Sequence, residues 1–259
     1  MTTYKAPSIK RAFDIIMKLG RSASGLTLSE LSRELSLSKA TVHGLVKALV
    51  GLKVLLQDKV SKKYILGPTL LELGRLSLAQ MWIKDVARPI MQRLMEDTGG
   101  TVYLGIQNNM HVTILEVVES SLDMKITSPK GSTVPIFAAA LGKIMLGFLE
   151  ESEQRSILSR DLPKFTEFSI TEPENFLEEV KKAQALGYAL DQEEYMYGVW
   201  AAAAPIRNWM DIPTAVWVVG FKAVLEEKGL IEIAIQTKKA AEAIEKKLIT
   251  PFSPQPLPP

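Results

Sequence analysis

Apolar residues recur at helical spacing three times near the start of the chain, and capping and turn residues separate the runs. Ile9, Ala12, Phe13, Ile16 and Leu19 predict a first helix, with Ser8 placed to cap it. Gly20 to Gly25 (GRSASG) is a turn-rich break. Thr27-Leu28-Ser29-Glu30 has the form of a capping box, in which hydroxyl and carboxylate each satisfy an orphan amide at a helix start. Leu28, Leu31 and Leu35 give that second helix one apolar face, and it stops near Ser36-Leu37. Ser38 then caps a third helix, in which Val42, Leu45, Val46 and Leu49 follow the i, i+3, i+4, i+7 rule. Its opposite face carries Lys39, Ala40, Thr41, His43, Gly44 and Lys47. Beyond it the pattern becomes that of strands: Val54-Leu55-Leu56-Gln57 and Lys63-Tyr64-Ile65-Leu66, joined by Asp58-Lys59-Val60-Ser61-Lys62.

Further on, Thr69 to Leu78 is predicted to be helical, with Leu70, Leu73, Leu76 and Ser77 along one side. The helix continues after Met81-Trp82 into Lys84–Asp97, where Val86, Ile90 and Leu94 form a face and Pro89 should kink or restart it. Such a linker helix is either a place for subunits to pair or a simple packing helix. Strands are predicted at Thr101–Ile106 and Val112–Glu119, joined through Asn108-Asn109, and again at Asp123–Thr127. After a loop at Pro129-Lys130-Gly131-Ser132 come helices at Ile136–Leu149, Glu151–Ser159 and Glu174–Leu186. Strands resume at Tyr188–Leu190, Val199–Ile206 and Thr214–Phe221, and an amphipathic helix covers Leu225 to Lys247. Strands in two groups, with helices between and after them, predict an antiparallel α+β domain rather than a doubly wound sheet. The closing PFSPQPLPP is proline-rich and is expected to be disordered.

Composition narrows the chemistry. With 259 residues, 47% hydrophobic and 23% charged, the chain has the make-up of an ordinary globular protein and room for a small domain plus a medium one. It has no cysteine, which excludes disulfides, thiolate metal sites and a cysteine nucleophile. His43 and His111 are its only histidines, too few for a histidine-rich metal site. No cofactor is expected. Neither a signal-peptide pattern nor an apolar run of ~18 residues is present, so the expected location is cytoplasmic, without a membrane partner.

The net charge of +2 conceals an asymmetry. Residues 1–68 hold 12 Lys/Arg against 4 Asp/Glu, a balance of +8, and the rest hold 19 against 25, a balance of −6. A compact basic segment on an acidic body is the layout of a polyanion-binding module on a sensor or enzyme. Three helices followed by a hairpin with a basic tip make a winged helix-turn-helix. The slim, basic face of the third helix suits the major groove, and the wing suits the phosphate backbone. A helical hairpin with solvated lysines is the plainer alternative.

The segments SIKRAFDII, LTLSELSRELSLSKATVHGLVKAL and KKYILGPTLLELG resemble the amino-terminal domain of the IclR family of bacterial transcriptional regulators. The resemblance implies that Ser38, Lys39, Ala40, Thr41, His43 and Lys47 contact bases or phosphates of double-stranded DNA. It also implies wing contacts from Lys59, Lys62, Lys63 and Tyr64. Two positions depart from the family pattern. Ser36 stands where the family usually has a turn glycine, which asks for a strained backbone. Gly44 stands where a bulkier polar or basic side chain is common.

The segments PIFAAALGKIMLGFL, TEPENFLEEVKKAQALGYALDQEEYMYGV and VWVVG extend the resemblance over most of the body, so that it spans roughly residues 5–249. It implies a GAF-like effector domain and a homodimer or dimer of dimers. The expected organisation is a winged helix-turn-helix at 1–68, a linker helix at 69–82, an effector domain at 83–250 and a tail at 251–259. By resemblance, the effector pocket comprises Ile126, Val134, Ala140, Leu141, Asp191, Val199, Ala201, Trp217 and Val219. Family members that bind small carboxylates present hydroxyls or thiols at several of these positions. Here Ala201, Trp217 and Val219 replace them, leaving Asp191 as the clear polar group. Unsatisfied polar groups on a small acid would cost about 1–3 kcal/mol each in such a pocket, which favours an aromatic or hydrophobic effector. The alternative is a pocket filled by Leu141 and Trp217, in a repressor that answers to no effector.

An enzyme has no positive support. Glu193-Glu194 beside Asp191 is expected to be a solvated turn. His111 has no second histidine near it in sequence, and Gly105, Gly142 and Gly147 lack a phosphate-cradling spacing. No serine sits in a GxSxG elbow. A protein that coats DNA without sequence choice is the third class, and footprinting separates it from a regulator.

Overall fold

The computed structural model describes residues 6–159, 161–207 and 209–249, so the proline-rich tail lies outside the described residues. The chain forms two compact units, Met1–Gln80 and Met81–Pro259.

In the first unit, α1 (Pro7–Gly20) opens with a proline, whose fixed φ suits the first helical position. Ala6 precedes it as N-cap without a side-chain bond, so Ser8 falls inside the first turn and caps nothing. The capping box of α2 (Leu28–Glu34) is complete: the Glu30 amide donates to Thr27 Oγ1 at 3.3 Å, and the Thr27 amide donates to Glu30 Oε2 at 2.7 Å. The joint to α3 (Lys39–Gly51) passes through Ser36 at φ +52°, a left-handed conformation that usually calls for glycine. Ser32 Oγ donates to the Leu37 carbonyl at 2.6 Å and ties that joint down.

Strands β1 (Leu55–Gln57) and β2 (Tyr64–Leu66) pair antiparallel, and Leu26 bridges to Tyr64. Ile15, Leu19, Leu31, Val42, Val46, Leu49, Leu55 and Tyr64 form the core of this unit. Full burial of side chains of this size stabilises by about 1.5–3 kcal/mol each. The apolar face expected of α1 is divided: Leu19 is buried, Ala12 and Ile16 are half-buried, and Ile9 and Phe13 are 60% and 62% exposed. Ile15, outside that face, is fully buried, and Met17 is 53% exposed. Helix α4 (Pro68–Gln80) belongs to the same unit; none of its residues is buried, and Leu71 and Leu73 are exposed.

The second unit begins with α5 (Ile83–Thr98), which runs through Pro89 as one helix instead of restarting there. It buries Ile83, Ala87, Met91 and Leu94, a face rotated from the one drawn through Val86 and Ile90. Its sheet comprises β3 (Thr101–Asn108), β4 (His111–Val118), β5 (Thr133–Pro135), β6 (Ala189–Gln192), β7 (Val199–Ile206) and β8 (Thr214–Phe221). The order is β5-β4-β3-β8-β7-β6, and every pair is antiparallel. The predicted strand at Asp123–Thr127 is not one. Thr127 Oγ1 and Lys125 Nζ instead bond back to Glu119 and to the Ser120 carbonyl, and β5 takes the edge beside β4.

The three helices after β5 are α6 (Ala139–Leu146), α7 (Glu151–Leu158) and α8 (Pro173–Leu186). Helix α6 is shorter than the predicted Ile136–Leu149 and is buried along its whole length. The last predicted helix is in fact two, α9 (Lys222–Lys228) and α10 (Leu230–Ile249), parted by Gly229 at φ +79°. Helices α6 and α8 pack with the face of the sheet that carries Ala203 and Trp217, and α5 packs with α10. Strand β7 is accordingly buried at every position, as a strand covered on both faces must be.

Candidate functional site

Ser38 starts the outward face of α3: its Oγ accepts from the Thr41 amide at 3.2 Å. Lys39, Ala40, His43, Gly44 and Lys47 are exposed along that face. Thr41 is half-buried and its Oγ1 lies 2.9 Å from Ser38 Oγ, so its hydroxyl already has a partner at the helix cap. A Cβ added at Gly44 would meet nothing within 4 Å. Packing therefore does not require glycine there, and the helix surface is left slim.

The wing tip is built on Asp58. Its Oδ1 accepts from Ser61 Oγ at 2.7 Å, from the Ser61 amide at 2.6 Å and from the Val60 amide at 3.2 Å. Those bonds, led by the Ser61 hydroxyl, hold the Asp58 carboxyl below its ordinary range. Lys62 completes the turn at φ +57°, and Lys59 and Lys62 are exposed. Lys63 is half-buried, with Nζ 3.2 Å from Ser24 Oγ. Tyr64 is the correction. It is 7% exposed, bridges to Leu26 and packs in the core of the unit, which leaves it almost no surface for wing contact.

A cavity of about 190 Å³ lies in the second unit, between the sheet face and the start of α6. All nine residues carried over by resemblance line it: Ile126, Val134, Ala140, Leu141, Asp191, Val199, Ala201, Trp217 and Val219. Leu141 and Trp217 bound the space without closing it. Tyr103, Ile114, Ser128, Thr133, Ala138, Tyr195 and Met196 complete the wall, so four further hydroxyls stand among the lining residues beside the Asp191 carboxyl. Strand register is the signal for the most important of these. Tyr103 sits directly opposite Trp217 across β3 and β8, and their rings stack at 5.3 Å with planes 16° apart. Gly105 makes room for that indole, since a Cβ there would come within 2.9 Å of the Trp217 ring.

Asp191 is 5% exposed, and its Oδ1 accepts from the Glu194 amide at 2.8 Å. Burial, and then the nearby Glu194 carboxylate, push its pKa up to about 7. Glu194 is not in a solvated turn. Lys143, itself 3% exposed, donates to Glu194 Oε1 at 2.6 Å and to the Leu190 carbonyl at 2.9 Å. Burial raises the Glu194 pKa, while the Lys143 ammonium opposes that shift. Glu193 accepts from the Gly198 amide at 2.9 Å and from Lys222 at 3.1 Å, and both bonds hold its carboxyl low. Nothing in the local sequence marks Lys143, which looks like an ordinary polar position within FAAALGKIMLGF.

The loop carrying Tyr195 and Met196 over the cavity is braced from outside. Thr166 Oγ1 donates to the Glu193 carbonyl and Ser169 Oγ to the Glu194 carbonyl, each at 2.7 Å. The Phe165 ring meets Tyr195 edge-on at 4.8 Å. Among the described residues no group of three His, Asp or Glu could hold a metal ion, and no helix is long and apolar enough to cross a membrane.

The IclR helix-turn-helix domain model matches residues 8–59, and the model for the bacterial transcriptional regulator IclR C-terminal domain matches residues 75–246. The HTH-type transcriptional regulator BhcR of Paracoccus denitrificans is 32% identical over 77% of this chain and 71% of its own length. The HTH-type transcriptional regulator XynR of Escherichia coli is 30% identical over 78% of this chain and 80% of its own length. Among solved structures, an IclR homologue from Microbacterium hydrocarbonoxydans, complexed with 4-hydroxybenzoate, has the same fold. Its TM-score is 0.70 at 22% identity, over 93% of this chain and 98% of that one. The two relatives are HTH-type transcriptional regulators, and residues 8–59, matched by the helix-turn-helix model, include the basic face of α3. The chain belongs to the IclR family of bacterial transcriptional regulators.

Proposed function

We propose that this regulator binds its operator as a homodimer, and that an aromatic or otherwise hydrophobic small molecule seated in the cavity modulates that binding. The observation that carries the effector is the open space itself. About 190 Å³ is bounded by the stacked Tyr103 and Trp217 rings and by mostly aliphatic side chains, with Ser128, Thr133, Tyr195 and the Asp191 carboxyl among them. A dry cavity of about 150 Å³ suffices for benzene, so a single-ring ligand fits. The Microbacterium neighbour, which holds 4-hydroxybenzoate, supports the same ligand class. The ligand acts by binding one operator-competent or operator-incompetent state better than the other.

On DNA, Ser38, Lys39, Ala40, His43 and Lys47 of α3 lie in the major groove, while Lys59 and Lys62 neutralise phosphates from the wing. Thr41 acts chiefly by holding the cap from which that face starts. Pairing is supported by Ile9, Phe13 and Met17, which repeat every fourth residue along α1 and make an apolar stripe on the surface of the reading unit. Two such units, related by a two-fold axis, present α3 to successive major grooves of a pseudo-palindrome.

Footprinting tests this on promoter fragments, with and without single-ring aromatics or short dicarboxylates. A discrete two-half-site footprint that the aromatics alter is the expected result. Uniform protection makes the protein a coating protein, and a response confined to dicarboxylates removes the aromatic effector. Phe13→Glu is expected to yield monomers by light scattering, whereas an unchanged dimer removes the α1 stripe from the interface.

A further inference from the structure

The cavity has an electrostatic character that its size does not convey. None of its lining residues is a lysine, arginine or histidine, and Asp191 is the one carboxyl among them. The nearest buried cation, Lys143 of α6, is engaged: its Nζ is bound to Glu194 Oε1 and the Leu190 carbonyl. Glu194, in the β6–β7 loop, adds a second negative charge beside Asp191, and Glu179 of α8 acts on Glu194 in the same sense. In the same loop Glu193 is neutralised by Lys222 of α9. The phenols facing the space, Tyr103 and Tyr195, are both pushed above their ordinary range by burial and stay neutral. Tyr103 commits its proton to the Ile126 carbonyl at 3.2 Å. The walls are therefore ring faces, negative at their centres, the hydroxyl-bearing Ser128 and Thr133, and a carboxyl whose Oδ1 accepts from the Glu194 amide. Asp191 is the one carboxyl acceptor among the lining residues for whatever enters. A ligand carboxylate would stand against the Asp191 carboxyl with no cation among the lining residues, whereas an O–H or N–H donor meets a carboxyl acceptor and aromatic faces.

We propose that the ligand of this cavity is a flat ring bearing a hydrogen-bond donor, an O–H or N–H group, which the ionised carboxylate of Asp191 accepts, so that binding is coupled to loss of a proton. This rests on the cavity being the effector site. The covalent frame of the ligand is unchanged by binding. The Asp191 proton passes to solvent, and the ligand's own donor hydrogen bridges to the Asp191 carboxylate.

Calorimetric titration of the full chain with phenol, benzylammonium, benzoate and toluene tests the proposal. With Asp191 titrating at about 7, benzylammonium affinity should rise by up to about tenfold between about pH 6 and about pH 8, as the ionised fraction grows. Phenol should bind more tightly than toluene and gain in the same direction. Asp191→Asn, which keeps an acceptor for the Glu194 amide but does not titrate, should flatten both pH profiles while circular dichroism stays native. If the Asp191→Asn variant fails to fold, proton release by the unaltered protein, read from titrations in two buffers of different ionisation enthalpy, decides instead. Benzoate as the tightest ligand, with affinity falling as pH rises, would overturn the proposal and leave the cavity as effector site. Equal binding of toluene and phenol, independent of pH, would do the same. Failure of every probe to bind would remove the effector site itself.

Discussion

The reading unit and the sensing unit solve opposite problems with the same kinds of side chain. In the winged unit, polar groups work over three or four residues and remain in contact with water. Thr27 and Glu30 close a helix start, Ser38 caps the next, and Asp58 folds the wing tip. In the sensor, polar groups are buried and the central pair joins distant stretches of chain: Lys143 binds Glu194, with Asp191 beside both. The carboxylates show the difference most clearly. Glu30 is half-buried and held low by the bonds it accepts from the Thr27 backbone and hydroxyl. Asp191 is held high by burial. A surface unit gains by keeping its acids charged, whereas a sensor cavity keeps one acid poised to change.

That contrast can be broken at the ion pair first, where the largest effect is expected. Lys143→Met leaves Glu194 and the Leu190 carbonyl without their cation in a buried setting, which should cost about 3–5 kcal/mol. Scanning calorimetry of the full chain checks it, and a loss below about 1 kcal/mol would mean that water reaches Glu194.

The next effect is pH dependence of opposite sign in the two units. For Asp191 the folded pKa, about 7, exceeds that of an unfolded carboxyl, so the folded state holds the proton longer. Stability should fall as pH rises from about 4 to about 7, by on the order of 2–4 kcal/mol, and then level off. Denaturant titrations of Asp191→Asn should lack that decline. Glu30 behaves in reverse: its contribution is present above the unfolded pKa and is lost as pH falls through its lowered one.

Smaller changes sharpen the picture of the winged unit. Thr27→Ala removes the hydroxyl half of the capping box and should cost about 1 kcal/mol in urea unfolding. On DNA, Lys62→Ala should weaken specific and random binding alike and reduce the slope of log affinity against log salt by about one. An undiminished slope takes the wing off the phosphates. The smallest expected change is a gain: Ser36→Gly relieves the left-handed φ of +52° and should stabilise by about 0.5–1 kcal/mol.

Legibility follows the same divide. The capping box at Thr27, the cap at Ser38, the strained Ser36 and the strands Val199–Ile206 and Thr214–Phe221 are all visible in short windows. Periodicity failed where an apolar residue had two possible destinations. Ile9 and Phe13 fit a helical face yet point outward; Tyr64, which the resemblance placed on the wing, closes the core. Asp123–Thr127 had strand-like residues but lost the sheet edge to β5. The nine pocket positions came from family resemblance, while Tyr103 and the buried Lys143 needed the register of β3 against β8 and the packing of α6.

The order of amino acids alone determined the helix starts at Thr27 and Ser38, most of the strands and where positive charge collects, because caps, turns and periodicity act over a few neighbouring residues. Tertiary structure alone decided the depth of each ionisable group and the side chains it meets. Desolvation and long-range pairing depend on what the rest of the chain places around a carboxyl, and no local window of residues contains that information.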